Sequence, residues 1–463
     1  MTNTAAIERR RISGIRGDLV CAGLAAALVA AAFVVPALTS ARYRDSIYAA
    51  TAPIFGSWLP HMGWGSGPAI VIAIAVVGYG PRVANAARPR QLPLITWATA
   101  LAWSFALAMV DGWQRGFAGR LTTYHEYLHE VGGVHDIGAM LRGFSGRILD
   151  FQPDSWTTHT SGHPPGALLT FVLLDRIGLG GGAWASTVCT VVGCSASAAV
   201  VVALRALGAL ERARAAAPFL ALAPAAIWVA VSADAFFMGV TAWAVAALAV
   251  GLAGTRPLLV FAAGVLFGFG IYLNYGLMLM AVPALAVMLL RGVRRAWPAV
   301  VGALVVVAAF TATGFWWLEG YHLVVRRYYQ GIATTRPASY WTWANLASTV
   351  CAVGLAPAAA LHRLPRGWAL PDPHSVRTAP GEALARWRDR VDPAAVLAAA
   401  GLAALLLADL SGLSKAETER IWLPFDIWVL AGAALLPAGT TRLWLAVQAI
   451  GTLVLAHLLL TGW

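Results

Sequence analysis

Long apolar runs, broken by short polar connections, set the reading of this chain. They lie at 18–39, 67–81, 92–110, 183–207, 217–233, 235–253, 258–273, 275–290, 297–317, 341–360, 393–410, 421–437 and 442–461. A soluble helix would carry polar residues on one face every third or fourth position. These runs do not, so they read as membrane-spanning helices. Several are short of the roughly 20 residues a full crossing needs, which leaves their ends soft. The expected fold class is an all-α polytopic membrane protein of about 13 transmembrane helices, with a long extracytoplasmic loop carrying short surface helices. Residues 1–463 then form a single integral-membrane domain. The extracytoplasmic loop and juxtamembrane helices occupy 111–182, and a cytoplasmic loop occupies 361–392.

Composition strengthens this picture. Of the 463 residues, 59% are hydrophobic and 12% charged, more apolar surface than a soluble chain of this size can bury. The first apolar run follows "ERRRISGIR", is long and lacks a cleavage site, so it reads as a retained span rather than a signal peptide. Cys21, Cys189, Cys194 and Cys351 fall inside apolar segments and form no disulfide framework or CxxC pair. The single lysine, Lys415, set against abundant arginine and alanine, suggests a GC-rich bacterial genome.

A net charge of +12 would suit nucleic acid, but its placement excludes that partner. The arginines sit in short loops between apolar runs, where positive charge fixes topology. Arg9 to Arg11 put the amino terminus in the cytoplasm. Arg82, Arg88, Arg90, Arg212, Arg214, Arg256, Arg291, Arg294 and Arg295 follow on the same side. So do Arg363, Arg366, Arg377, Arg386, Arg388 and Arg390. The expected location is a bacterial plasma membrane, multi-pass, with the carboxyl terminus outside.

The same threading gathers the reactive polar residues on the outer face: Asp111, the 111–162 loop, Asp234, Asn274, Tyr321, Arg326, Arg327 and "SKAETER" at 414–420. Within that loop, "HEYLHEVGGVHD" at 125–136 fits the zinc-protease pattern HExxHxxGxxH. His125 and His129 would share a helical face as zinc ligands, Glu126 would activate water, and His135 would close the site. Context opposes this reading. The matching protease clan needs a soluble catalytic domain, and a loop of about 50 residues has no room for one. A divalent metal stays open: Glu126, Glu130 and Asp136 favour magnesium, manganese or calcium, and the histidines favour zinc.

Two further features carry chemistry. Asp111 ends an apolar helix, where a half-desolvated carboxylate suits a general base; the plain alternative is a helix-end polar residue reaching water. "HPPG" at 163–166 starts a helix over 164–177, since proline suits the first turn, and Asp175 and Arg176 lay that helix along the membrane surface.

An acidic residue at the outer end of an early span, a long outer loop with surface helices and an "HPP" ending resemble the GT-C superfamily of membrane glycosyltransferases. Protein O-mannosyltransferases carry an acidic pair and an "HPP" in the corresponding loop. Asp111 or Glu126 matches the acidic role, and His163-Pro164-Pro165 the "HPP" element. "KAETERIWLPF" at 415–425 resembles a segment of actinobacterial proteins of this type. The sequence motifs cover about 60 residues. The long loop follows the third span rather than the first, and the acidic pair is not a dipeptide here.

The resemblance implies a polyprenyl-phosphate-linked sugar donor and an extracytoplasmic, inverting transfer to a cell-envelope glycan, glycolipid or protein acceptor. Asp111, or else Glu126, would be the catalytic base. The leaving phosphate needs cations, for which Arg326, Arg327, Lys415 and Arg420 are candidates; membrane lipid headgroups are the alternative partners of each. Glu417 and His163 complete the expected substrate-binding set with Tyr321, which stacks on sugar or sits in the aromatic belt. Two other classes stay open: a zinc metalloprotease using His125, Glu126, His129 and His135, and a lipid-carrier flippase or transporter.

Overall fold

Small residues decide which helices touch. In a computed structural model describing residues 2–230, 232–368 and 380–462, the helices Pro257–Leu273 and Trp297–Ala312 cross where Gly264 meets Gly302. A Cβ on Gly264 would collide with the Ala299 carbonyl oxygen, and one on Gly302 with that of Phe261. Apolar helices in lipid gain little from burying apolar side chains, so close backbone approach of this kind supplies the packing energy. The alanine- and glycine-rich helices Gly182–Ala206 and Ala233–Ala253 form the buried centre of the bundle.

Among the described residues, six helices are long and apolar enough to cross a membrane. They are Gly14–Leu38, Ser66–Ala86, Gly182–Ala206, Ala233–Ala253, Pro393–Leu410 and Ala438–Leu458. The count rises to eight if two bent pairs, Trp297–Ala312 with Trp317–Gln330 and Ala338–Val353 with Leu355–Trp368, are each one span. Four shorter apolar helices accompany them, at Leu92–Ala108, Pro257–Leu273, Tyr275–Arg291 and Leu423–Leu435. The chain turns 108° after Val353 through Gly354, whose φ of +83° favours glycine.

One expected span, 217–233, does not form. Helix Leu210–Ala221 ends just before Pro224, a single turn follows at Ala226–Val229, and Ser232 caps a new helix. Neighbouring helices satisfy the backbone freed by this break. The Trp103 indole donates to the Ala223 carbonyl at 3.2 Å, and the Ala225 amide donates to the Ala352 carbonyl at 2.8 Å.

The arginine-rich loops meet at one end of the bundle. Buried Asp18 accepts from Arg363 Nε at 2.7 Å and pairs with His362 at 2.8 Å, and Arg212 pairs with Asp392 at 2.7 Å. Arg291 donates to the Ala206 carbonyl and Arg388 to that of Leu289, each at 2.7 Å. Within the expected 361–392 loop, Pro380–Arg390 is helical, and Arg377 lies outside the described residues.

The 111–164 loop and the 414–421 segment meet at the other end. Only short extended pieces occur among the described residues. β1 (Gly56–Trp58) pairs antiparallel with β2 (Leu459–Thr461), and the His61 amide continues the ladder by donating to the His457 carbonyl at 2.9 Å. The HPP element forms as expected: Pro164 caps and Pro165 opens the helix Pro165–Arg176.

Gly264→Ala should lower the thermal unfolding midpoint of the detergent-solubilised protein, at a cost of about 1–3 kcal/mol from overpacking. Gly23→Ala, where nothing stands within 4 Å of the added carbon, should leave it unchanged or raised. Equal midpoints for the two variants would contradict the close crossing.

Candidate active site

The long loop folds back on itself through two clips. The His159 amide donates to the His125 carbonyl at 3.0 Å, and the Thr157 amide donates to Glu130 Oε1 at 2.8 Å. Between the clipped ends, residues 123–127 form a turn and the helix starts only at Leu128. That late start turns Glu126 inward, where it is buried, while His125 stays exposed.

Glu126 Oε1 lies 2.9 Å from His159 Nδ1, and His159 Nε2 lies 3.2 Å from Arg420 Nη2. A guanidinium only donates, so Nε2 is the acceptor and Nδ1 carries the proton that faces Glu126. Arg420 pairs through Nη1 with Asp234 Oδ2 and through Nη2 with Glu417 Oε2 at 3.2 Å. Ser232 Oγ donates to the same Asp234 oxygen at 2.9 Å and caps the helix that Asp234 opens. The result is a chain running Glu126–His159–Arg420–Asp234. Burial raises the Glu126 pKa, but His159 and then Arg420 outweigh it and hold the carboxyl below its usual range.

Segment 414–421 delivers Arg420 through a constrained backbone. Ala416 and Glu417 both have positive φ, 71° and 62°. Arg336 holds this turn by donating to the Lys415 carbonyl at 2.8 Å and pairing with Glu417 at 3.3 Å. Glu419 Oε1 accepts from the Phe55 amide at 3.0 Å, and burial pushes its carboxyl up to about 7.

The remaining expected residues fall in three places. His163 donates from Nδ1 to the His159 carbonyl at 2.7 Å and packs between Tyr127 and Phe237. Its dry surroundings push the imidazole down to about 4 and keep it neutral. Asp111 stands apart from the chain, with its Oδ1 2.6 Å from His61 Nε2, while His61 Nδ1 lies 2.7 Å from the Leu59 carbonyl. The last group lies on the helix Trp317–Gln330, bent 75° from the helix before it, or packs on the turn that follows. Tyr321 stacks on Trp317, Arg326 is exposed, Arg327 pairs with Asp150, and Lys415 Nζ donates to the Ala333 carbonyl at 3.0 Å.

The zinc set is not assembled. Among the described residues no group of three or more His, Cys, Asp or Glu side chains is placed to hold a metal ion. His125 and His129 were expected on one helical face, but His125 precedes the helix and the Tyr124 ring packs against both. Beyond the two glycines, the His135 carbonyl accepts from Arg176 at 2.8 Å. The hard-cation alternative fails likewise. Glu126 faces His159, Glu130 caps Thr157, and Asp136 caps the helix Ile137–Gly143 through the Ala139 amide at 3.0 Å.

Sequence reasoning missed His61 and Arg336, and it did not assign Asp234 and His159 to the site. The signal for Asp234 was present: Ser232 followed by an acid at the start of an apolar helix marks a capped, buried terminus. Arg336 had no local signal, because its partners lie some 80 residues away.

No family model matches the chain, and no curated protein or solved structure matches it either.

His163 sets a pH dependence. Its folded pKa of about 4 lies below the ordinary 6.5, so the unfolded chain binds more protons in between. Stability is therefore full above pH 6.5 and is lost as pH falls through the folded value. Glu126, also depressed, adds a loss below its ordinary 4.5. Unfolding midpoints measured from pH 7 to pH 4 should fall, with His163 contributing roughly 2 kcal/mol. His163→Phe should flatten the part between 6.5 and 4; an unchanged slope would show that His163 does not titrate this way.

Proposed function

We propose that the protein is a GT-C-like membrane glycosyltransferase. It moves a sugar from a polyprenyl-phosphate donor to a hydroxyl of an envelope glycan, glycolipid or protein on the extracytoplasmic face, with inversion. The observation that carries the reading is the buried Glu126–His159–Arg420–Asp234 chain, set where the long loop closes over a bundle of apolar helices. Such a site offers fixed carboxylates for hydroxyl groups and cations for a leaving phosphate, at membrane level where a lipid-linked donor arrives.

Asp111 is the base in this reading. It keeps some solvent access and has Oδ2 outside its His61 contact, whereas Glu126 is buried and held ionised, which makes it a poor proton acceptor. The acceptor oxygen forms the new bond to the anomeric carbon and gives its proton to Asp111. The carbon–oxygen bond to phosphate breaks, and phosphate leaves with the electron pair. Glu126 acts as a positioning residue through His159 and Arg420. Asp234 Oδ1, buried without a hydrogen-bond partner among the described residues, is a free acceptor for a sugar hydroxyl.

A lipid-carrier flippase or transporter is the second reading, favoured by Asp426. This carboxylate is fully buried in helix Leu423–Leu430, and both its oxygens lack partners among the described residues, a feature of ion and substrate paths through membranes. The metalloprotease reading lacks its metal ligands and is not carried further.

Asp111→Asn should cut transfer from a polyprenyl-phosphate sugar by about two to four orders of magnitude while donor binding persists. Glu126→Gln should cost less, about tenfold, as expected of positioning. Full activity in both variants, with loss only in Asp426→Asn, would favour transport over transfer.

Orientation has its own test. Cysteine introduced at exposed Tyr124 should react with an impermeant thiol reagent in intact cells, and cysteine at Arg386 should react only after lysis. The opposite pattern would move the proposed site to the cytoplasm.

A further inference from the structure

Among the described residues, one buried cation at the loop end makes no ion pair. Arg120 opens the tight turn Arg120–Thr122, is 9% exposed, and its Nε is buried without a hydrogen-bond partner. A guanidinium buried without compensation is costly, so folded proteins ordinarily bring a carboxylate to it. The carboxylates nearest in charge, Glu126 and Asp111, are instead committed to His159 and His61.

More positive charge surrounds it. Burial first, then the neighbouring Arg115, push the Arg120 pKa down to about 10, and Arg420 adds to the repulsion. Arg115 is itself steered away, with Nη2 donating to the Thr461 carbonyl at 3.0 Å. The cations named from sequence for the leaving phosphate are differently placed: Arg327 and Arg420 are paired with carboxylates, Lys415 is spent on a carbonyl, and Arg326 faces outward.

We propose that Arg120, with Arg115 beside it, is the seat of a phosphate monoester anion. A phosphate monoester fits because its oxygens accept from the forked N–H groups of Arg120, and the charge of nearby Arg115 favours the anion. The assignment deepens the glycosyltransferase reading, on which it rests only for the origin of the phosphate. The chemistry is shared by a prenyl monophosphate and free phosphate, and a phospholipid diester headgroup is the contrasting source.

The test measures binding to the full chain in nanodiscs of neutral lipid, by calorimetry and phosphorus NMR. The probes are a short prenyl monophosphate, the diester phosphatidylglycerol and inorganic phosphate. Arg120→Gln should weaken prenyl monophosphate binding by on the order of ten- to a hundredfold, with partial recovery in Arg120→Lys. Arg90→Gln should bind as the wild type does. Weakening of prenyl monophosphate and inorganic phosphate, with the diester little changed, supports the seat; weakening of the diester as large as that of the monophosphate, or confined to it, overturns the monoester proposal.

Unchanged monophosphate binding in a folded Arg120→Gln also overturns it. Should that variant not fold, the wild type serves: prenyl monophosphate should slow modification of Arg120 by phenylglyoxal, and no protection would be decisive against the seat. The two readings fail separately. Arg120-dependent binding without sugar transfer leaves the seat standing and sinks the transferase, whereas transfer with Arg120-independent binding does the reverse.

Discussion

Arg420 is the residue around which the loop end is built. A guanidinium with so little solvent must find acceptors, and here they come from its own turn and from two distant stretches of chain. Asp234 comes from the start of a central helix, Glu417 from its own turn, and His159 from the long loop. Such a network adds little net stability, because the desolvation of the charges offsets their attraction. What it contributes is uniqueness. The loop has one docking position in which His159 accepts from Arg420 while donating to Glu126, and any other position strands a buried charge.

That constraint explains why the zinc-like motif has a different physical role. The spacing of His125, Glu126 and His129 specifies ligands only if a helix runs through all three. The helix begins at Leu128 instead, because the preceding turn is fixed by the clip from His159 to the His125 carbonyl and by the inward pull on Glu126. Long-range pairing of one carboxylate therefore outweighs the local periodicity of twelve residues. Sequence spacing alone does not reveal which of the two wins.

The legible parts of the molecule were those with a local cause. Apolar runs marked where helices lie, the paired prolines at 164 and 165 marked a helix start, and arginine placement sorted the connections into the two groups that meet at opposite ends of the bundle. The segment at 217–233 was misread as a span because its composition is apolar throughout, while Pro224 and the Ser232 cap divide it. Partners such as His61 for Asp111, Arg336 for Glu417 and Phe55 for Glu419 were invisible. Each depends on a fold that brings together residues 50 to 364 positions apart.

The two ends of the bundle differ in how their arginines are answered, and the difference bears on function. At the arginine-rich end Arg363 and Arg212 each meet a carboxylate, and Arg291 and Arg388 each meet a helix carbonyl. At the loop end Glu126 and Asp111 are held by histidines and Asp234 by Arg420, yet among the described residues Arg120 makes no ion pair and one Asp234 oxygen has no donor. Unsatisfied buried groups of opposite sign are costly to maintain in a structure that binds nothing. A ligand with an anionic group and a hydroxyl donor would relieve both at once. A phosphate-linked sugar, the donor proposed above, has that pair of groups.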